Sequence, residues 1–168
     1  RGRRAGQDEQ RDRTRDVVRG FAHPRKHVVE AAGNQGVSRS VVAAVSALCA
    51  SHGRVIVLED DLAVSPAFLD YMNRALDRYA DDPSVMQVSG HMFPIEPPAA
   101  DSVLLPMTTS WGWGTWQRAW RRFDPRTIAD DGLRRSLRQR YRFDLGGSYP
   151  YFAMLQDQRA GRIDSWAI

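Results

Sequence analysis

Lysine is almost missing from this chain: of its 24 basic residues only Lys26 is a lysine. Positive charge is therefore left to arginine, whose planar fork suits carboxylates and phosphates better than an ammonium does. The arginines run the whole length of the chain, however, so a compositional bias accounts for them before a dedicated anion site does. Cysteine is nearly absent too, and the single Cys49 excludes an internal disulfide framework and fits a reducing compartment. No apolar run approaches the ~20 residues that span a bilayer. The opening RGRRAGQDEQ lacks the apolar core of a secretory leader. The expected location is the cytoplasm, with peripheral contact at the inner face of the membrane as an option.

What is present is ordinary for a globular protein: 42% apolar and 26% charged residues in a chain of 168, enough for one domain or a part of one. Seven arginines and four acids crowd the first 20 positions, so 1–20 reads as a charged lead-in, disordered or helical. From there the pattern alternates. HVVEA (27–31) suggests a strand, and Val37–Ser51 a helix with Val41, Ala44, Val45 and Leu48 on one face. Arg54–Leu58 is a continuous apolar run, the mark of a central parallel strand covered on both sides. Ser65-Pro66 starts a helix whose stripe is Phe68, Leu69, Met72, Leu76 and Tyr79. Strands are expected at Val85–Ser89, Val103–Met107 and Arg162–Ile168, and helices from Thr115, over Asp131–Phe143 and over Tyr151–Arg159. The fold class implied is α/β, a mostly parallel central sheet flanked by helices. The chain begins within a charged segment and ends on DSWAI inside an expected strand, so it reads as a piece of a longer domain.

One stretch, RVIVLEDDLAVSP, drives a buried-looking strand into three consecutive carboxylates, Glu59, Asp60 and Asp61. Like charges so close raise one another's pKa unless a cation sits among them. In open α/β sheets ligands bind beyond the carboxyl ends of strands, and a divalent cation such as Mn²⁺ or Mg²⁺ takes oxygen ligands of this kind. An acidic solvated turn is the plain alternative. A second stretch, SWGWGTWQRAW, packs four tryptophans into positions 111–120. Trp offers a broad face to sugar C–H groups and an N–H at its edge. Trp116 and Trp120, four apart, suit a helix core stripe. Trp111 and Trp113, flanking Gly112, suit a ligand surface, since glycine lets a ligand approach the backbone.

Together VIVLEDDLAVSPAFLDYMNRAL, SWGWGTWQRAW and GNQGVSRSVVAAV resemble segments of nucleotide-sugar glycosyltransferases with the A-type fold, near N-acetylglucosaminyltransferase I and bacterial family 2-like transferases. The resemblance spans about Asn34 to the end. It implies a Rossmann-like A-type domain over 21–168, partial because the family's first strand would precede residue 1 and further strand would follow the end. It implies Asp61 as ligand of Mn²⁺ (or Mg²⁺) bridging the donor diphosphate. It also implies Asp60, Glu59 and Asn34 on the donor, with Trp111, Trp113 and Gly112 toward the acceptor. The donor would be a nucleoside-diphosphate sugar, the acceptor a glycan or a lipid-linked molecule, and no nucleic acid is expected as partner.

Inverting transfer, which the resemblance also implies, needs a carboxylate base in the later half of the domain. Asp164 on its expected strand is preferred, Asp157 is next, and Asp144 precedes a Gly-Gly turn. His91, at another expected strand end, is a second candidate ligand for the metal or a phosphate. Two other classes compete. A metal-dependent nuclease or nucleotidyltransferase uses similar acids. An arginine-rich nucleic-acid-binding module would use Arg134, Arg138 and Arg142, which share a face if 131–143 is one helix. A glycoside hydrolase needs carboxylates ~5–10 Å apart across one bond, which adjacent acids do not provide.

Overall fold

The computed structural model describes residues 2–92, 103–124 and 131–167, which fall into two compact units, 1–35 and 36–168. In the first unit the charged lead-in is a helix, α1 (Gly2–Gly20). Its C-terminal end is tied by Lys26, whose ammonium donates to the carbonyls of Val18 (2.8 Å) and Arg19 (2.9 Å) as well as to Phe21. A cation there satisfies orphan carbonyls and opposes the negative end of the helix dipole. Arg19 holds both oxygens of Glu30 at 2.8 Å, which keeps the Glu30 carboxyl below its ordinary range. The expected strand at 27–31 is irregular chain.

The second unit opens with α2 (Val37–His52), closed by Gly53 in the left-handed region (φ 77°), whose N–H returns to the Cys49 carbonyl. Glycine takes that conformation without a Cβ clash. The chain reverses into β1 (Arg54–Val57), then forms α3 (Phe68–Arg78), β2 (Val88–Ser89), β3 (Trp113–Trp116) and α4 (Gln117–Trp120). α5 (Asp131–Arg135), α6 (Leu137–Phe143) and α7 (Tyr151–Arg159) complete it.

This arrangement corrects the expected fold class. Among the described residues helix predominates, 46% against 7% strand, and the sheet is a small three-stranded one in the order β1-β3-β2 with both pairings antiparallel. The apolar run of β1 was read as a sign of parallel neighbours, but it reports only that both faces are covered. Val55 and Val57 turn toward α2, with Val45 and Cys49, while Ile56 turns toward α3, with Met72 and Leu76. Strand direction leaves no trace in that pattern.

The larger surprise is β3. Thr115 onward was expected to be helical; instead Trp113–Trp116 is the middle strand, and the helix begins only at Gln117. Alternation along the strand sends its side chains to opposite layers. Trp113 stacks on Trp166 (4.3 Å between centroids) on the α2 side, and Trp116 donates its indole N–H to the Leu76 carbonyl (2.9 Å) on the α3 side. Gly114 sits where a Cβ would meet the Val55 carbonyl at 3.1 Å and Met72 Cε at 3.2 Å. Arg118 then lies over the Trp116 ring (4.4 Å) and donates to the carbonyls of Tyr79 (2.6 Å), Ala80 (2.5 Å) and Val85 (2.9 Å). Its fork thus closes the turn between α3 and β2.

Smaller expectations also change. Only Val88–Ser89 of the 85–89 segment pairs, and Val103–Met107 and residues 162–167 form no strand. The α3 helix starts at Phe68 with Ala67 as its cap, not Ser65, and buries Phe68, Met72 and Leu76 but not Leu69. In α2 the buried positions are Val45 and Cys49; Ala44 and Leu48 are exposed. The expected helix over 131–143 is broken at Ser136 (φ −117°, ψ 110°), whose hydroxyl caps α6 by accepting from the Gln139 N–H. Arg134 is thereby separated from Arg138 and Arg142, so the three do not form one helical stripe.

The two glycine-flanked tryptophans separate in energy. Trp113→Ala removes a ring that is 1% exposed and should cost about 3–5 kcal/mol. Trp111→Ala, at a ring 47% exposed, should change stability by about 0.5 kcal/mol or less. Urea unfolding of both variants measures the difference, and equal losses would contradict this packing.

Candidate functional site

β1 and β2 each run antiparallel to β3 and so point the same way. The register Val57↔Trp113 and Ser89↔Trp113 places both of their carboxyl ends beside the start of β3. Leu58 and Glu59 leave β1 there, and Asp60-Asp61 form a turn in which the Leu62 N–H reaches the Glu59 carbonyl (3.3 Å). Gly90 leaves β2 there and donates to the Gly112 carbonyl (2.7 Å). His91 meets Trp111 edge to face at 4.7 Å. β1 runs back along α2 after the reversal at Gly53, so the N-terminus of the longer α2 points toward the same side of the sheet.

The acidic triplet is the chemically distinct feature of this end. Glu59 is half-buried, and Asp60 and Asp61 are exposed. Among the described residues no ion pair or side-chain hydrogen bond engages any of the three. Burial pushes the Glu59 carboxyl above its ordinary range, and the charges of Asp61 and Asp60 push it the same way. Such a cluster lowers its free energy by gaining a cation. No group of three His, Cys, Asp or Glu side chains converges on a metal position among the described residues. A hard cation here would have one or two of these carboxylates as ligands, and its remaining positions would need oxygens from outside the chain.

The aromatic segment needs correction. Trp113 and Gly112 were expected to face a ligand, and both are buried. Gly112 has φ 67° and leaves room for Phe68, whose Cε2 a Cβ would meet at 3.0 Å. Gly90 serves the same ring, with Cε2 at 2.3 Å from such a Cβ. These glycines admit Phe68, not a ligand. Trp111 stays half-exposed and is the aromatic surface at the strand ends.

Each candidate base is engaged in local structure. Asp164 Oδ2 accepts from the Ser38 N–H at the start of α2 (3.5 Å), and a Cβ on Gly36 would lie 2.6 Å from that oxygen. This carboxylate thus sits at the N-terminus of α2, where negative charge is favoured. Asp157 is paired with Arg162 (2.8 Å to Nε). Asp144 Oδ1 accepts from the Phe152 N–H (2.7 Å) at the start of α7. Of the three, Asp164 is the one that contacts the start of α2. Asn34 is exposed and belongs to the first unit, 1–35.

Sequence reasoning missed the polar floor behind His91. Gln87 pairs its side-chain amide with both backbone groups of Thr109 (2.9 and 3.1 Å), and the Ser89 and Thr109 hydroxyls meet at 2.6 Å. Alternating polar residues in VMQVS were the available signal, and expecting a paired strand at 85–89 concealed it.

No protein-family model, curated protein or solved structure matches the chain.

Glu59 supplies a pH test. Its folded state binds the proton more tightly than the unfolded chain does, so stability falls as pH rises from about the ordinary value of 4.5 through the raised one. Glu59→Gln removes that loss. The variant should melt above the parent at pH 7, with the gap shrinking as pH falls through the raised value toward 4.5 and largely gone below it. A gap that is constant with pH, read by thermal melts across the range, would count against the crowded-carboxylate description.

Proposed function

We propose that the chain carries the donor-binding part of a nucleotide-sugar glycosyltransferase, transferring a sugar from a nucleoside diphosphate to an acceptor hydroxyl with inversion. The observation behind this reading is the cation-deficient triplet Glu59-Asp60-Asp61 at a strand end shared with Trp111. The likeness of the LEDD and SWGWGTW segments to such transferases supports it. The reading keeps sugar transfer but not the parallel sheet expected with it. It places the protein in the cytoplasm, at the inner membrane face where a lipid-linked acceptor would lie.

In this reading Asp61 holds Mn²⁺ or Mg²⁺, Asp60 meets the ribose or donor sugar, and Glu59 orders the donor's hydrogen bonds. The chemistry supplied by such a cation when bound is Lewis-acid relief of charge on the leaving diphosphate. Trp111 offers its face to acceptor sugar C–H groups. Asp164 takes the acceptor hydroxyl proton as the acceptor oxygen bonds to the anomeric carbon and the bond from that carbon to the diphosphate breaks. Its contact with the Ser38 N–H orients the carboxylate for that role.

Two variants test the assignment. Asp61→Asn keeps shape and loses charge, so the Mn²⁺-dependent thermal stabilisation by UDP should vanish while the unliganded melting temperature is kept. Unchanged metal-dependent binding would remove Asp61 from the site. Asp164→Asn retains an oxygen for the Ser38 N–H, so folding and donor binding should persist. Turnover, read as UDP release from UDP-sugars, should drop on the order of 10²–10⁴-fold. Normal turnover moves the base elsewhere, and joint loss of stability and donor binding makes Asp164 a purely structural cap.

A further inference from the structure

Beside the strand ends, a cavity of about 1120 Å³ runs along the outer edge of β2 between α3 and the α6–α7 segment. It lies at or just above the upper end of the ~300–1,000 Å³ usual for small-molecule sites. Its described walls are mostly apolar, and several of them are open: Leu104 is 67% exposed, Leu105 46% and Met92 45%. Phe68, Met107 and Phe143 continue that surface. Large aliphatic side chains facing an open space are a standing free-energy cost that an apolar ligand relieves.

The charged groups of the wall are one-sided. No aspartate or glutamate is among its described residues, and the side chains able to carry positive charge are Arg142 and His91. Arg142, near the end of α6, makes no ion pair with any described residue, and a guanidinium with no carboxylate in its wall favours a phosphate or carboxylate oxygen. At the strand-end side the wall is hydroxyl-bearing, through Ser89 and Thr109.

We infer that this cavity binds an anionic amphiphile, a long aliphatic tail along Leu104, Leu105 and Phe143 with an acidic head at Arg142. The cavity reaches Ser89 and His91 at the end of β2, on the same side of the sheet as the end of β1 that carries the carboxylate triplet. Naming the ligand the acceptor class rests on the glycosyl-transfer reading; its binding does not.

The test is calorimetric titration of the whole chain with dodecyl phosphate, laurate, dodecanol, dodecyltrimethylammonium and inorganic phosphate, all below micelle formation. Dodecyl phosphate or laurate should bind at least tenfold more tightly than the cationic and neutral dodecyl probes, and inorganic phosphate should bind far more weakly than either. Preference for dodecyl phosphate identifies a lipid phosphate as the source, and preference for laurate a free fatty acid. Arg142→Gln should erase the advantage of the anionic head while dodecanol binding stays. Leu104→Asp, at an exposed position that folding tolerates, should weaken every dodecyl probe. Equal affinity for anionic and cationic probes, or full anion affinity retained in Arg142→Gln, overturns the inference. UDP with Mn²⁺ titrated on the same sample separates the two claims. Nucleotide binding without amphiphile binding defeats only the cavity assignment, and the reverse defeats only glycosyl transfer.

Discussion

The second unit depends on one four-residue strand being buried on both sides. β3 carries Trp113 into the layer under α2 and Trp116 into the layer under α3, so a single segment nails both helices to one sheet. Two tryptophans 5% exposed or less give that short strand a large apolar contribution to both layers. The price of the arrangement is space, and Gly114 provides it, since any Cβ there would press on Val55, Met72 and Leu76. Arg118, immediately after the strand, then fixes the α3–β2 turn through three carbonyls.

That constraint also makes the candidate site. With β3 running opposite to both its neighbours, the ends of β1 and β2 fall on one side of the sheet. The acidic triplet, His91 and Trp111 then fall on that side without any loop having to reach across. Burial of Glu59 beside Asp60 and Asp61 leaves this end short of positive charge, while Asp164, Asp157 and Asp144 are each matched to a helix start or to an arginine. The contrast separates carboxylates that have a partner within the fold from a triplet that has none among the described residues.

The chain itself disclosed part of this. Helical spacing located α2, α3 and α7 within a residue or two, and the apolar run from Arg54 located β1. The unusual acids of LEDD were visible because charge following a buried run is conspicuous in one dimension. Sheet direction was not visible, because an apolar run such as VIVL is the same whether its neighbours are parallel or antiparallel. Trp113–Trp116 misled for a related reason: spacing of four between Trp116 and Trp120 fits a helix, yet the strand ends between them. Gly112 looked like an opening for a ligand, and only the position of Phe68 shows that it is filled. Asp164 and Gly36 meet across 128 residues of sequence, a contact no local pattern announces.

The central claim is that the triplet at the end of β1 binds a divalent cation together with a nucleoside diphosphate. Electron paramagnetic resonance of free Mn²⁺, titrated with the chain in the presence and absence of UDP, tests it most directly. The account predicts weak Mn²⁺ uptake by the chain alone and uptake at least tenfold tighter when UDP is present, beyond what UDP binds by itself. Mn²⁺ uptake that is absent, or that UDP leaves unchanged, would contradict it.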